Sequence, residues 1–410
     1  MFATKNKNIS TDMYLIAFII SLLILVSLGL TMRPDQDDQY FKHALDNKSF
    51  FEFFSFRYLK WSGRYAIEAL LLLTINYDWF WKLMIPMCIL LCAYSIWSLT
   101  LRKSISSIKG ISLALGLIMI MSPSVANDSM WWITGAYNYL LPVSMGLYAV
   151  DILLRQKQTG LYQKTLSLIA LFIACSTEQP ALCIVIASIL FIISTKTYTT
   201  FSFIFFSFSL FFSAILFLSP GNHIRYIIEA YHYMPEIQGY SFFQKVSLGM
   251  DRVQAHIKDR TNFLLFSASF TCLFKAIMHK KPFGFQDIIA FSTLCLFNAF
   301  FLVTNNPSDV FHKYFSAIFT IEPNNWNEIS IYTSYFFSLA SIASMLWFCL
   351  EKNIESYIGF VFLSLSLLVT VAVGISPTVY ASEQRILFLF DISLVAFTCC
   401  MLRNSLTLKY

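Results

Sequence analysis

Three carboxylates fall within four residues at Asp35, Asp37 and Asp38, in the run Arg33-Pro34-Asp35-Gln36-Asp37-Asp38-Gln39-Tyr40-Phe41. Like charges so close repel one another, which costs stability unless a cation, a metal or a substrate compensates. A solvated loop is the plain alternative. A second run, Lys60-Trp61-Ser62-Gly63-Arg64-Tyr65, places an arginine directly behind a glycine. There Arg64 can come close to a phosphate and grip it in a two-pronged fork. The plain alternative is an interfacial anchor, where Trp, Tyr, Lys and Arg collect anyway. In Asn127-Asp128-Ser129-Met130-Trp131-Trp132-Ile133-Thr134-Gly135-Ala136-Tyr137-Asn138-Tyr139-Leu140-Leu141-Pro142, aromatic rings alternate with amide and hydroxyl groups. Trp131, Trp132, Tyr137 and Asn138 suit a sugar ring, which has apolar C–H faces and a hydroxyl rim.

Three further runs add polar groups. Glu178 lies in Ser176-Thr177-Glu178-Gln179-Pro180, a break between two apolar stretches, where burying a carboxylate is expensive. It is a candidate to fix a hydroxyl, and a wet turn is the plain alternative. Ser219-Pro220-Gly221-Asn222-His223-Ile224-Arg225 supplies Asn222, His223 and Arg225. Ser376-Pro377-Thr378 precedes Glu383-Gln384-Arg385. Any one arginine reads as a residue reaching for the interface. Arg64, Arg225 and Arg385 together, beside acidic clusters, read as a site for an anionic headgroup.

The elements that must position these groups follow from composition. Hydrophobic residues make up 57% of the 410, and charged residues only 13%. Soluble domains carry about 25% charged residues. With 42 phenylalanines and a mean hydropathy of +0.63, the chain has too little polar surface to cover its apolar mass in water. The bilayer must be its solvent. This excludes a soluble enzyme, and the scattered basic residues behind the net charge of +6 form no nucleic-acid-binding face. All nine cysteines fall in apolar stretches, so neither a disulfide framework nor a zinc site is expected.

The expected fold is all-α and polytopic, a single membrane domain of about twelve spans. They cover approximately 12–32, 79–100, 110–126, 137–153, 165–176, 180–195, 199–218, 262–278, 286–304, 329–350, 355–375 and 385–402. The fifth and sixth are short for a bilayer of about 30 Å, so they meet at a break or one is re-entrant. Lys and Arg crowd alternate short loops, while those near 127–136, 176–180 and 376–384 have none. The positive-inside rule then puts both termini in the cytoplasm. Two longer loops, 33–78 and 219–261, with nearly all the polar runs, face the other side.

Asp37-Asp38 after the first span, followed by Ser62-Gly63-Arg64, resembles the polytopic glycosyltransferases of the C superfamily (GT-C). The run Trp132-Ile133-Thr134-Gly135-Ala136-Tyr137-Asn138-Tyr139-Leu140-Leu141-Pro142 is similar to their bacterial branch of serotype-converting O-antigen glucosyltransferases. Glu178-Gln179, Pro220-Gly221-Asn222 with Arg225, and Ser376-Pro377 with Arg385 resemble further motifs of that branch. The resemblance implies a GT-C-like fold in the bacterial inner membrane and a polyprenyl-phosphate-sugar donor. It also implies an O-antigen-like glycan acceptor at the periplasmic face, a first-loop Asp as base, and coupling to a lipid-linked sugar synthase and a flippase.

The chemistry is compatible with that. Displacing phosphate from an anomeric carbon needs a base for the acceptor hydroxyl, from Asp37 or Asp38, with Asp35 third. It also needs cations for the departing phosphate, from Arg64, Arg225 and Arg385. One base and in-line displacement predict inversion. A divalent metal bridging the Asp pair is allowed by the residues, not demanded. Two rivals stand beside this reading: an O-antigen polymerase acting on lipid-linked repeats, and a lipid-linked glycan flippase or transporter. The acid cluster directly after the first span argues against the polymerase. Spans with few interior charges argue against the transporter.

Overall fold

The computed structural model describes residues 2–34, 37–196, 198–278, 282–303, 321, 325–350 and 354–407. All regular structure among them is helical. Apolar runs of this length dictate that outcome, because in hydrocarbon a backbone must satisfy its own N–H and C=O groups. Nine helices among the described residues are long and apolar enough to cross a membrane. They are Thr11–Gly29, Asp78–Thr100, Ile133–Leu154, Glu178–Thr195, Thr200–Phe217, Phe285–Leu302, Ile329–Cys349, Tyr357–Ile375 and Arg385–Arg403. The protein is an all-helical, polytopic membrane protein.

The expectation of about twelve spans is corrected at three places. The segment expected at 110–126 is not straight: Ser107–Met119 and Pro123–Trp131 meet at a bend of 100°. Pro123 has no N–H to continue a helix and pushes the residue before it out of helical geometry. The segment at 165–176 is the 14-residue helix Leu161–Ala174, about 21 Å long at 1.5 Å per residue. The segment at 262–278 is the 16-residue helix Phe263–Met278, about 24 Å long. Both fall short of a ~30 Å hydrocarbon layer.

The expected loops are also helical. The first holds Asp37–Lys42, Phe50–Lys60 and Tyr65–Thr74, and the second holds Pro220–Tyr233 and Phe242–Ile257. The 127–136 stretch, expected as a short loop, is instead a broken helix. Its π-helical turns Asn127–Trp131 and Ala136–Leu140 flank an extended Trp132 and the short turn Ile133–Gly135. π-Helical turns interrupt regular helices most often at functional sites.

The chain divides into two compact units, Met1–Gly116 with Ser124–His232, and Leu117–Pro123 with Tyr233–Tyr410. In the first, Ala149, Leu171, Ala174, Phe205 and Leu216 form a core around Tyr65. In the second, Phe242–Ile257 lies against the Ile354–Ala372 helix at two glycines. A Cβ on Gly249 would fall 1.9 Å from the Val371 carbonyl oxygen, and one on Gly374 would fall 2.0 Å from that of Lys245. The short Leu117–Pro123 piece joins the second unit through the Leu264 amide, which donates to the Ile120 carbonyl at 3.1 Å. The Ser122 hydroxyl adds a bond to Asp259 at 2.7 Å.

Candidate functional site

Five of the six polar runs belong to the first unit, and hydrogen bonds join them there. The Asp37–Lys42 helix begins with both candidate carboxylates, and their environments differ completely. Asp38 is fully buried and Asp37 is exposed. Asp38 Oδ1 accepts the Thr134 amide at 2.9 Å and the Thr134 hydroxyl at 2.6 Å. Its Oδ2 accepts the Arg33 amide at 3.0 Å. Asp38 therefore ties the first run to the third. Its oxygens accept three hydrogen bonds in the interior, and the exposed carboxylate of the pair is Asp37. Asp35 lies outside the described residues.

Thr134 reaches Asp38 because the helix is interrupted around it. A Cβ on Gly135 would lie 2.1 Å from the Asp128 carbonyl oxygen, so glycine permits the closeness of the two turns. Arg33 braces the same junction. It donates to the Asn127 carbonyl at 3.1 Å, lies 3.6 Å from Asp128 Oδ1, and stacks 5.1 Å above the Trp132 ring.

The aromatic residues expected to hold a sugar are mostly interior. Tyr137 is fully buried, with its hydroxyl bonded to that of Thr74 at 2.6 Å. Trp132 is 4% exposed and covered by Arg33. Both side chains pack in the interior of the unit. Trp131 is half-buried.

Arg64 is the hub. Its Nε lies 3.2 Å from both Glu178 oxygens, its Nη2 donates to Glu178 Oε2 at 2.8 Å, and its Nη1 donates to Asn138 Oδ1 at 3.0 Å. Burial opposes the Arg64 charge, but Glu178 outweighs it and holds the guanidinium above its ordinary pKa. Asn138 is fixed from behind by donating to the Thr134 carbonyl at 2.9 Å. The guanidinium makes a two-pronged fork on Glu178. Arg225 also acts electrostatically on Glu178. It pairs with Glu229 at 2.8 Å and lies 5.9 Å over the Trp61 ring.

Gly63 and Asn222 are bonded to each other. The Gly63 amide donates to Asn222 Oδ1 at 3.0 Å, and Asn222 Nδ2 donates to the Leu216 carbonyl at 2.7 Å. With both ends of its amide in use, Asn222 locks the turn before Arg64. A Cβ on Gly63 would come 2.3 Å from the Leu216 oxygen, and one on Gly221 would come 2.6 Å from the Trp61 nitrogen. Close backbone approach explains both glycines. His223, on the Pro220–Tyr233 helix, is exposed.

Sequence reasoning passed over a second ion pair in this unit. Arg57 Nε and Nη2 donate to Glu68 at 2.9 and 2.8 Å, with side chains 13% and 6% exposed. Arg57 also lies over Tyr40, Phe41 and Trp61. The available signal was a lone carboxylate, Glu68, in the apolar helix Tyr65–Thr74.

Arg385, half-buried at the start of its span, belongs to the second unit. That unit has its own buried polar groups. Asp251 is bonded to the hydroxyls of Tyr335 and Tyr380 and to the Ile321 amide. Burial, only partly offset by these bonds, raises its pKa. His256 Nε2 meets Asp391 at 2.6 Å and Asn262 at 3.0 Å.

Among the described residues no three His, Cys, Asp or Glu side chains are grouped to hold a metal. Set against known proteins, the chain matches no family model, no curated protein and no solved structure.

Proposed function

We propose that the protein is a GT-C-like glycosyltransferase that moves a sugar, glucose by resemblance, from a polyprenyl-phosphate donor to a hydroxyl of an O-antigen-like glycan. The observation that carries this reading is that an oriented, half-buried guanidinium, Arg64, and the neighbour of an exposed carboxylate, Asp37, are hydrogen-bonded to the same interrupted helix in one unit. The interrupted helix at Thr134–Asn138 touches the supports of both. A base and a cation on one rigid frame are what displacement at an anomeric carbon requires.

Asp37 takes the acceptor hydroxyl proton, and the oxygen lone pair forms the new bond to the anomeric carbon. The carbon–oxygen bond to the donor phosphate breaks with its electron pair, giving a polyprenyl phosphate. Arg64 and Arg225 neutralise the charge that develops there. Asp37 later returns its proton to water. The configuration inverts. Asp38, Asn138 and Asn222 position these groups, and Trp131 and His223 remain as sugar contacts. Within this reading the protein lies in the bacterial inner membrane, with both termini cytoplasmic and the site periplasmic. A lipid-linked sugar synthase and a flippase supply its donor.

One observation favours a transporter instead. Asp391 is fully buried inside a span and bound to His256. An ionisable residue within a span marks a substrate pathway or a proton relay. The two readings separate on one pair of assays in proteoliposomes. The transferase predicts glycan modification that Asp37→Asn abolishes and Asp391→Asn spares. Substrate movement lost in Asp391→Asn, with no transfer, supports the carrier.

A further inference from the structure

The Glu178 carboxylate lies where an anionic ligand of Arg64 would lie. It takes both the Nε and Nη2 donors of the guanidinium, the edge that a phosphate grips in the same two-pronged way. Asn138 holds the remaining Nη1 side from behind. Glu178 occupies the first turn of its helix, where the backbone dipole also favours a negative charge. The two members of the pair are not equally held. The side chain of Arg64 is 19% exposed and has a third anchor in Asn138, while that of Glu178 is 37% exposed. Arg64 supplies the side-chain hydrogen bonds to the Glu178 carboxylate. The guanidinium is fixed, and the carboxylate is the partner able to leave.

We propose that Glu178 is a built-in stand-in for the phosphate of the ligand. A phosphate monoester or diester displaces the carboxylate from Arg64 and inherits its place on the guanidinium. Glu178, swung toward solvent, is then released as a hydrogen-bond acceptor for a sugar hydroxyl. The pair thereby keeps a buried cation neutralised until an anion of the right shape arrives, since an uncompensated charge there is costly. This rests on the glycosyltransferase reading only in taking phosphate as the ligand, so it is testable without sugar or acceptor.

The test is equilibrium binding to the full-length protein in neutral-lipid nanodiscs, with a polyprenyl phosphate in one arm and inorganic phosphate in the other. Wild type is compared with Glu178→Gln and Arg64→Lys, and thermal unfolding checks that each is folded. Should Glu178→Gln not fold, Glu178→Asp, which withdraws the carboxylate by one methylene, carries the same sign. The expected result is polyprenyl phosphate binding about tenfold tighter in Glu178→Gln, about 1.4 kcal/mol. Binding is lost in Arg64→Lys. The same order with inorganic phosphate assigns recognition to the phosphate alone, and a response to the lipid only assigns it to the headgroup with its chain. Binding by wild type that is unchanged or weaker in Glu178→Gln overturns the stand-in and leaves the transferase reading intact. Binding unchanged in Arg64→Lys also overturns it. No binding of either ligand to any variant overturns both readings.

Discussion

Thr134 donates twice to Asp38, and the Arg33 amide donates once more, so this carboxylate works as a tether between two segments nearly a hundred positions apart. Hydrogen bonds to charged groups contribute about 1.5–3 kcal/mol each. Asp38→Asn should therefore destabilise the purified protein by about 1.5–3 kcal/mol, while Asp37→Asn, at an exposed position, should stay within about 0.5 kcal/mol. Denaturant unfolding in detergent checks both, and equal losses would contradict the assignment of roles. The Arg57–Glu68 pair predicts a different pattern. Removing one partner strands a buried charge, at about 3–5 kcal/mol, whereas replacing both with apolar residues removes the problem. Arg57→Met with Glu68→Met should thus be more stable than either single variant. Asp37 and Asp38 were indistinguishable in sequence, because adjacent helix positions differ only in the direction they face. The choice between them needed Thr134, a contact that no spacing rule reaches.

At the scale of elements, the interrupted helix over residues 127–140 sets the geometry. An extended Trp132 between two π-helical turns points Thr134 at Asp38 and Asn138 at Arg64. Gly135→Ala would place a methyl 2.1 Å from the Asp128 carbonyl oxygen, which is backbone and cannot swing aside. We expect a loss of about 1–3 kcal/mol and, with it, a loss of any function that depends on Arg64. Stability with both Arg64 binding and activity intact would show that the break is incidental. The run containing this glycine was conspicuous in sequence, but its helicity was not. Interleaved Trp, Thr, Gly and Asn lack the 3.6-residue apolar period, and π-helical turns leave no pattern of their own. The long apolar spans were legible for the opposite reason: hydrocarbon demands helix from every such run. The bend at 110–126 was less legible, because hydropathy does not register Pro123, whereas 165–176 already read as too short for a straight span.

At the scale of the whole molecule, the first unit gathers the polar runs and the second carries a separate set of buried ionisable groups. In the second, burial pushes the Lys258 ammonium down to about 8 from 10.5. Below about pH 8 both folded and unfolded chains hold that proton, and the folded state carries the cost of the buried charge. Between about 8 and 10.5 the unfolded chain still holds a proton that the folded chain has shed, so stability rises with pH across this window. Thermal unfolding from pH 7.5 to 10.5 should show the rise, and Lys258→Met should flatten it. The central claim concerns the first unit and stands or falls on one measurement. Purified protein in lipid is incubated with a polyprenyl-phosphate-glucose donor and an O-antigen acceptor, with wild type beside Asp37→Asn and Asp38→Asn. The account predicts glucose on the acceptor with wild type, none with a folded Asp37→Asn, and a reduced amount with Asp38→Asn in proportion to its loss of folded protein. Transfer that survives in Asp37→Asn, or chain lengthening of lipid-linked repeats in place of glucose transfer, would contradict it.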